Sequence, residues 1–182
     1  MRAMGIDPGS RFTGFGVVEQ RAGRLTHVAH GVIRASTDAP LEQRLGEIFE
    51  ALVDAMALHR PEAVAVEGLF SFRNARSALV LGQARGVALL VAGRQGVPVF
   101  EYAPARVKRA VGAGGADGKD AVARMVRTFL RLGEVERADA SDALAVAICH
   151  LNQRRSPVLE LKGRAARPEC AGFAPTPAYE RF

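Results

Sequence analysis

Hydrophobic and polar positions change their spacing along the chain. Up to residue 34, short apolar stretches alternate with turn residues, which predicts three strands over residues 2–7, 13–20 and 25–34. Because the connections between them are short, we expect these strands to be antiparallel neighbours. Over residues 40–60 the apolar positions recur every three or four residues, which predicts a helix with acidic residues on its opposite face.

The remainder of the pattern alternates strands and helices. Residues 63–67 form a compact apolar run, typical of a strand buried on both faces, and residues 97–102 predict another strand. Helices are predicted over residues 74–94, 105–110, 119–132 and 140–153. The helix over 74–94 is apolar on most sides, so we expect it to be largely buried. This order of elements indicates a mixed α/β sheet with helices on both faces.

Composition narrows the class of protein. A chain of 182 residues with 48% hydrophobic residues and a mean hydropathy of +0.04 is not a disordered chain. Two cysteines make no disulfide framework, and we see neither a signal peptide nor an apolar run of about 18 residues, so a cytoplasmic protein with no membrane partner is expected. Residues 1–155 are predicted to form one domain. Residues 156–182 are proline-rich without a periodic apolar face, which predicts a mobile or loosely attached tail.

The net charge of +6 has two interpretations, an arginine-rich surface or a polyanionic partner. The order of the charges favours the second, because seven basic residues lie between Arg73 and Arg109 with only Glu101 opposing them. These basic residues are Arg73, Arg76, Arg85, Arg94, Arg106, Lys108 and Arg109. A solvated positive face stays an alternative, and Arg85 and Arg94 could pair within the fold.

Four acids occupy positions suited to a metal site. Asp7 ends the first strand and Glu67 ends the buried strand, so the two are side by side if these strands are parallel neighbours. Asp139 and Asp142 are three residues apart, which puts both on one face of a helix start. Clustered carboxylates stay ionised together only beside cations, and their hard oxygens select Mg²⁺ or Mn²⁺. A carboxylate cluster beside basic residues is typical of a metal-dependent nuclease.

Each acid also has a structural alternative. Asp7 could initiate a turn with Pro8 and Gly9. Asp139 and Asp142 could serve as a helix N-cap and an acid of the first turn. Glu67 could cap the loop that follows it, although a carboxylate closing an apolar strand is costly to desolvate without a partner.

Two further segments have the composition of a nucleic-acid surface. Residues 68–74 carry two phenylalanines that could pack in the core or stack on bases. A glycine-rich loop over residues 112–118 leads into a helix beginning near Lys119, whose backbone N–H groups could meet a phosphate. Gly82 and Gly86 are spaced so that another backbone could approach them, inside the fold or across a subunit interface. Together with the family resemblance described next, these segments predict eight DNA-binding residues, which are Phe70, Phe72, Arg73, Asn74, Arg76, Lys108, Arg109 and Lys119.

Three motifs resemble those of the RuvC family of bacterial Holliday-junction resolvases. They are GIDPGSR (5–11) with TGFG (13–16), NARSA (74–78) running into LGQARGVA (81–88), and DASDALA (139–145). The resemblance covers residues 1–153 in order. It implies a ribonuclease H-like fold with a five-stranded mixed sheet, three strands antiparallel and two parallel, and a homodimer that cuts four-way junction DNA symmetrically in recombination and repair.

The resemblance also implies roles for single residues. Asp7, Glu67, Asp139 and Asp142 match the catalytic metal-binding tetrad. Phe70 matches the aromatic residue of the junction-probing loop, and Lys108 and Lys119 match basic residues near the scissile phosphate. Gly82 and Gly86 fall on the helix of the dimer interface, and the RuvA–RuvB branch-migration complex is the implied partner. Gly68 departs from the polar residue that is commoner there, and the tail lies outside the match.

The mechanism that follows is hydrolysis with two Mg²⁺ ions bridged by Asp7. One ion would activate water for in-line attack on a phosphodiester and the other would stabilise the leaving oxygen, with Lys119 countering charge on the phosphate. The product would carry a 5′-phosphate. Three alternatives are a nuclease of the same fold acting on RNA or hybrids, a non-catalytic junction-binding protein, and an actin-like ATPase, for which the chain is short and has no second phosphate loop.

Overall fold

The computed structural model describes residues 1–68, 75–112, 119–133, 135 and 137–153. The predicted DNA-binding residues Phe70, Phe72, Arg73 and Asn74, the side chain of Lys119 and the tail over 156–182 lie outside the described part. The predictions made for them stay predictions.

The strands form one five-stranded sheet in the order β3-β2-β1-β4-β5. β1 and β2, and β2 and β3, are antiparallel, whereas β1 and β4, and β4 and β5, are parallel. The mixed sheet predicted from the sequence is confirmed, with its last strand beginning two residues later than expected. The strands are β1 (Arg2–Asp7), β2 (Phe12–Arg21), β3 (Arg24–Arg34), β4 (Ala63–Glu67) and β5 (Val99–Tyr102).

Helices cover both faces of the sheet, as predicted. They are α1 (Leu41–His59), α2 (Ala75–Arg94), α3 (Pro104–Ala110), α4 (Lys119–Leu130) and α5 (Ala138–Gln153). One core cluster joins α1 and α2 to the face that carries Met4, Ile6, Val64 and Val66. The other joins α3, α4 and α5 to the opposite face. Alternate strand residues point to opposite faces, so each strand contributes to both clusters.

Helix α5 lies directly on the backbone of β1 and β2. Glycines at positions 5, 14 and 16 face it, and a Cβ at Gly5 would overlap the carbonyl oxygen of Ala143. A Cβ at Gly16 would stand 2.7 Å from the backbone nitrogen of Leu144. Because these strand positions have no side chains, the helix approaches closely and is buried along its length from Ala143 to Leu151.

The expectation that α2 is largely buried was wrong. Its buried residues are Ala84, Ala88, Val91 and Ala92, which form one stripe, while Leu79 is 66% and Leu90 is 54% exposed. The sequence of α2 is apolar on most sides of the helix, but the described part of the chain packs against one side only. By length and composition alone α2 could also span a membrane, a weak indication that the core helices of soluble proteins share.

Candidate active site

Asp7 and Glu67 lie next to each other at one edge of the sheet. β1 and β4 are parallel neighbours whose register pairs Ile6 with Val66, and Asp7 and Glu67 are the next residues on the two strands. Both continue the alternation that turns Ala3 and Ala65 toward α5. The predicted juxtaposition of the two acids is confirmed.

The first turn of α5 brings the other two acids to the same edge. Asp139 is the second residue of the helix, and Asp142 follows three residues later on the same face. Beneath it lies Gly14, where a Cβ would overlap the carbonyl oxygen of Asp139. Gly14 is also the register partner of Asp7. The first turn of α5 therefore lies on the face of β2, at the residue that pairs with Asp7.

Arg137 binds Asp139, a contact that the sequence patterns did not predict. Its Nε and Nη2 atoms both donate to Asp139 Oδ2 at 3.2 Å. The predicted capping alternative placed Asp139 at the N-cap, but the helix already begins at Ala138. The carboxylate of Asp139 thus faces a guanidinium of the loop that precedes the helix.

The four carboxylates share an edge without forming a ligand set. In the described part of the chain, no three acidic, histidine or cysteine side chains are close enough together to hold a metal ion. Like charges at one edge repel each other, and a cation or a basic side chain offsets that repulsion, as Arg137 does for Asp139. Oxygen donors from two strand ends and one helix turn are nevertheless the donor type that Mg²⁺ and Mn²⁺ take.

The turn after Asp7 is fixed by neighbouring side chains. Thr13, which is buried, donates to the carbonyl oxygen of Gly9 at 2.7 Å and accepts from its N–H at 3.3 Å. Arg44 on α1 donates to the carbonyl oxygen of Ser10 at 3.2 Å. Asp7 therefore ends β1 and precedes a turn that other residues hold in place, which agrees with the turn chemistry predicted for this stretch.

Two basic residues of the predicted DNA-binding set lie on the helix that begins at this edge, and a third lies on α2. Tyr102, the last residue of β5, pairs with Glu67 in the sheet, so α3 begins beside the acids. Lys108 and Arg109 lie in the last turn of α3. Arg109 is exposed and donates to the carbonyl oxygen of Ala105 at 3.3 Å. Arg76 is exposed in the first turn of α2.

Two arginines of α2 have partners within the fold, as the sequence analysis allowed. Arg85 forms an ion pair with Glu101 on β5. The guanidinium of Arg94 lies 5.9 Å from the ring centroid of Phe49 on α1. These two residues belong to the packing of α2, so the basic residues that remain available for a polyanion are fewer than the sequence suggests.

A buried polar pair fastens β5 to α5 near Glu67. Tyr102 Oη and His150 Nδ1 are 2.7 Å apart, and His150 is 1% exposed. The ring of Phe100 lies 4.6 Å from that of His150, centroid to centroid. Sequence patterns gave no signal for this pair, because its two members are 48 residues apart.

The glycines of α2 lie on an open face. A Cβ at Gly82 or Gly86 would meet nothing within 4 Å. Leu79 and Leu90 are exposed, and they lie three or four residues from the glycines, on the same face of the helix. In the described part of the chain no backbone approaches this face, so the close approach suggested by the glycine spacing does not occur inside the fold.

Comparison with known proteins identifies relatives over nearly the whole chain. The family model described as crossover junction endodeoxyribonuclease RuvC matches residues 3–150. The RuvC protein of Myxococcus xanthus is 63% identical over 187 residues, which cover 100% of this chain and 98% of that protein. The RuvC protein of Trichlorobacter lovleyi is 50% identical over 152 residues, covering 84% of this chain and 85% of that protein.

Solved structures agree with the sequence comparison. Thermus thermophilus RuvC in complex with Holliday junction substrate superposes with a TM-score of 0.79 at 38% identity, covering 85% of this chain and 95% of that chain. The yeast mitochondrial Holliday junction resolvase Ydc2 has a TM-score of 0.61 at 12% identity, covering 84% and 80%. The second likeness shows a shared fold alone.

Proposed function

The chain belongs to the RuvC family of crossover junction endodeoxyribonucleases, and we infer from this membership that it is the endonuclease that resolves Holliday junctions in recombination and repair. The five-stranded mixed sheet with helices on both faces is the ribonuclease H-like fold of this family. The observation that supports the inferred activity within the molecule is the close contact of α5 with Gly14, because this contact brings the helix that carries Asp139 and Asp142 onto the strand beside Asp7.

Our proposal for the catalytic residues rests on the acids at the edge of the sheet where Asp7 and Glu67 lie. The family is metal-dependent, and we assign the metal to Asp7, Glu67, Asp139 and Asp142, with two Mg²⁺ per site and Mn²⁺ as a substitute. The bound metal would supply an activated water and stabilise the leaving oxygen of the phosphodiester. The carboxylates would hold it, and the backbone contacts of β1, β4 and α5 would fix how far apart they stand.

The proposed DNA surface extends from this edge over α3. Lys108 is half-buried and Arg109 exposed, and both are at the end of the helix that starts beside Glu67. Lys119 opens α4, where we propose that it counters charge on the scissile phosphate. Arg76, with Phe70, Phe72, Arg73 and Asn74 of the preceding segment, completes the proposed DNA-binding set.

We further propose a homodimer formed through α2. The face with Gly82 and Gly86 is apolar and exposed in the single chain, and a second copy would bury Leu79 and Leu90. A twofold axis would present two active sites to a four-way junction, which suits paired symmetric cuts. A dimer face also accounts for the apolar composition of α2 without a membrane. A cytoplasmic location and a partnership with RuvA–RuvB complete the proposal.

The experiment that tests this assignment uses a synthetic immobile four-way junction with Mg²⁺ or EDTA. We expect Asp7→Asn to bind the junction and not to cut it, because it removes one anionic ligand while adding no steric change. Asp54→Asn is a matched control, since Asp54 is an exposed acid of α1. It should cut as the wild type does. Cleavage by Asp7→Asn at the wild-type rate would refute the assignment.

The same assay separates the alternatives. Junction DNA, an RNA–DNA hybrid and single-stranded RNA are offered in parallel, and the proposal requires preferential cutting of the junction into products with 5′-phosphates. Binding of Asp7→Asn measured at several salt concentrations should weaken steeply, because phosphate contacts release counterions. Binding that is insensitive to salt would contradict the proposed basic surface.

A further inference from the structure

Arg137 is in direct electrostatic contact with Asp139, a proposed metal ligand. Two of its nitrogens, Nε and Nη2, donate to the same oxygen of Asp139, Oδ2, at 3.2 Å each. Its guanidinium carbon stands 3.9 Å from the centroid of the Phe12 ring. Phe12 is the first residue of β2, so the stack joins the loop before α5 to the sheet.

This arrangement fixes the orientation of the guanidinium. A guanidinium stacked on the face of an aromatic ring retains its charge and is held parallel to that ring. Its fork then presents N–H groups in one direction, toward Oδ2. The other carboxylate oxygen of Asp139, Oδ1, receives no bond from Arg137, so it can turn toward the edge where Asp7 and Glu67 end their strands.

We propose that Arg137 is a positioning residue for the metal site, a role that rests on the proposed assignment of Asp139 as a metal ligand. It holds Asp139 by Oδ2 and leaves Oδ1 for the metal. Residues that hydrogen-bond a metal ligand from behind commonly change metal affinity by about 10- to 100-fold when they are replaced. Arg137 has the contacts of such a residue toward Asp139.

Simple electrostatics makes the opposite prediction. A positive charge near a cation site repels the cation, so removing the charge should strengthen metal binding. If Arg137 acts by position, removing it should weaken binding despite that gain. The sign of the change therefore separates the two explanations.

Arg34 provides a matched control for charge. It ends β3, is exposed, and lines the same cavity of about 330 Å³ as Arg137 and Ala140. Replacing Arg34 removes a positive charge from the same side of the site and leaves the bonds to Asp139 in place.

The test measures binding of Mn²⁺ alone to the full chain, without DNA, from the electron paramagnetic resonance signal of the free ion. We expect Arg137→Gln to weaken binding about tenfold, and Arg34→Gln to leave it unchanged or slightly tighter. Arg137→Lys keeps the charge but has neither the fork nor the stack, so it should be weaker as well. Wild-type or tighter binding by Arg137→Gln would overturn the proposal, and so would equal weakening by Arg34→Gln.

Two checks keep the result decisive. Should Arg137→Gln fail to fold, as judged by circular dichroism, the Arg137→Lys variant decides, and wild-type binding by it overturns the proposal. Asp139→Asn separates this proposal from the one on which it rests. Wild-type binding by Asp139→Asn would refute the ligand assignment itself, whereas weak binding by Asp139→Asn with normal binding by Arg137→Gln would refute only the positioning role.

Discussion

Gly14 and Asp139 are in backbone contact, and no side chain fits between them. A Cβ on Gly14 would overlap the carbonyl oxygen of Asp139, and Gly14 pairs with Asp7 across β1 and β2. A contact between main chains thus sets the distance from the acid of β1 to the acids of α5. Rotation of a side chain does not alter such a contact.

Replacing Gly14 by alanine should therefore damage the site more than the fold. The first turn of α5 must move away from β2 to admit the methyl group, and overpacking of this kind costs about 1–3 kcal/mol. We expect cleavage of a four-way junction to fall at least tenfold at a temperature where the variant is still folded. Cleavage rate and thermal unfolding, measured on the same preparation, check this.

Gly46→Ala is the control for that substitution. Gly46 is an exposed glycine of α1, where a Cβ would meet nothing within 4 Å. Alanine favours a helix over glycine by about 1 kcal/mol, so this variant should unfold at a higher temperature and cut normally. Normal cleavage by Gly14→Ala would show that the close contact is not needed for the site.

Much of the fold is predictable from the sequence because local signals agree with the final packing. The bounds of β1 and β4 are reproduced, since each is a short apolar run that ends in an acid. The neighbourhood of Asp7 and Glu67 follows from them, because parallel strands bring their carboxyl ends to one edge. The hydrophobic pattern and the order of the strands were enough to predict that Asp7 and Glu67 are neighbours.

Other features depend on contacts that no local pattern encodes. The burial of α2 was mispredicted because composition shows which residues are apolar and not which face a single chain covers. The sequence offers no local signal for the contacts of Arg137, which depend on where the fold places Phe12 and Asp139. The pair of Tyr102 and His150 joins elements far apart in sequence. These features arise only when the sheet and α5 are assembled.

The open face of α2 yields a prediction about assembly. If a second copy covers it, Leu90→Glu should place a charge in the dimer interface and produce a monomer, because burying an unpaired carboxylate is costly. Leu90 is 54% exposed in the single chain, so the fold of the monomer should be retained. Mass measured by light scattering after gel filtration, and loss of paired cuts in favour of single nicks, would show this.

Leu58→Glu serves as the control for the assembly experiment. Leu58 is 75% exposed and lies on α1, not on α2, and it is not within 4 Å of a Cβ built at Gly82 or Gly86. It receives the same charge and should leave the dimer intact. A dimer that persists in Leu90→Glu, or that dissociates in Leu58→Glu, would place the interface elsewhere.

Two histidines of β3 predict a dependence of stability on pH. The register of β2 and β3 shifts between Val17 and Val18, and this irregularity brings His27 and His30 together, with His27 Nε2 and His30 Nδ1 2.8 Å apart. Partial burial, with a smaller contribution from His30, holds the pKa of His27 below its ordinary value. Protonation of His27 is therefore harder in the folded protein than in the unfolded chain.

The sign of the effect follows from proton linkage. As the pH falls below about 6.5, where an unperturbed histidine titrates, the unfolded chain takes up a proton at position 27 before the folded protein does. Stability should fall with pH from there down to the lowered pKa of the folded state. We expect the unfolding temperature of His27→Gln to fall less between pH 7.5 and 5.5 than that of the wild type. His30→Gln should keep most of the wild-type slope, because burial is the larger cause. If the unfolding temperatures of the wild type and His27→Gln fall equally over this pH range, the titration of His27 does not affect stability. Loss of the contact with His30 could lower the unfolding temperature at every pH, but it would not change how that temperature varies with pH.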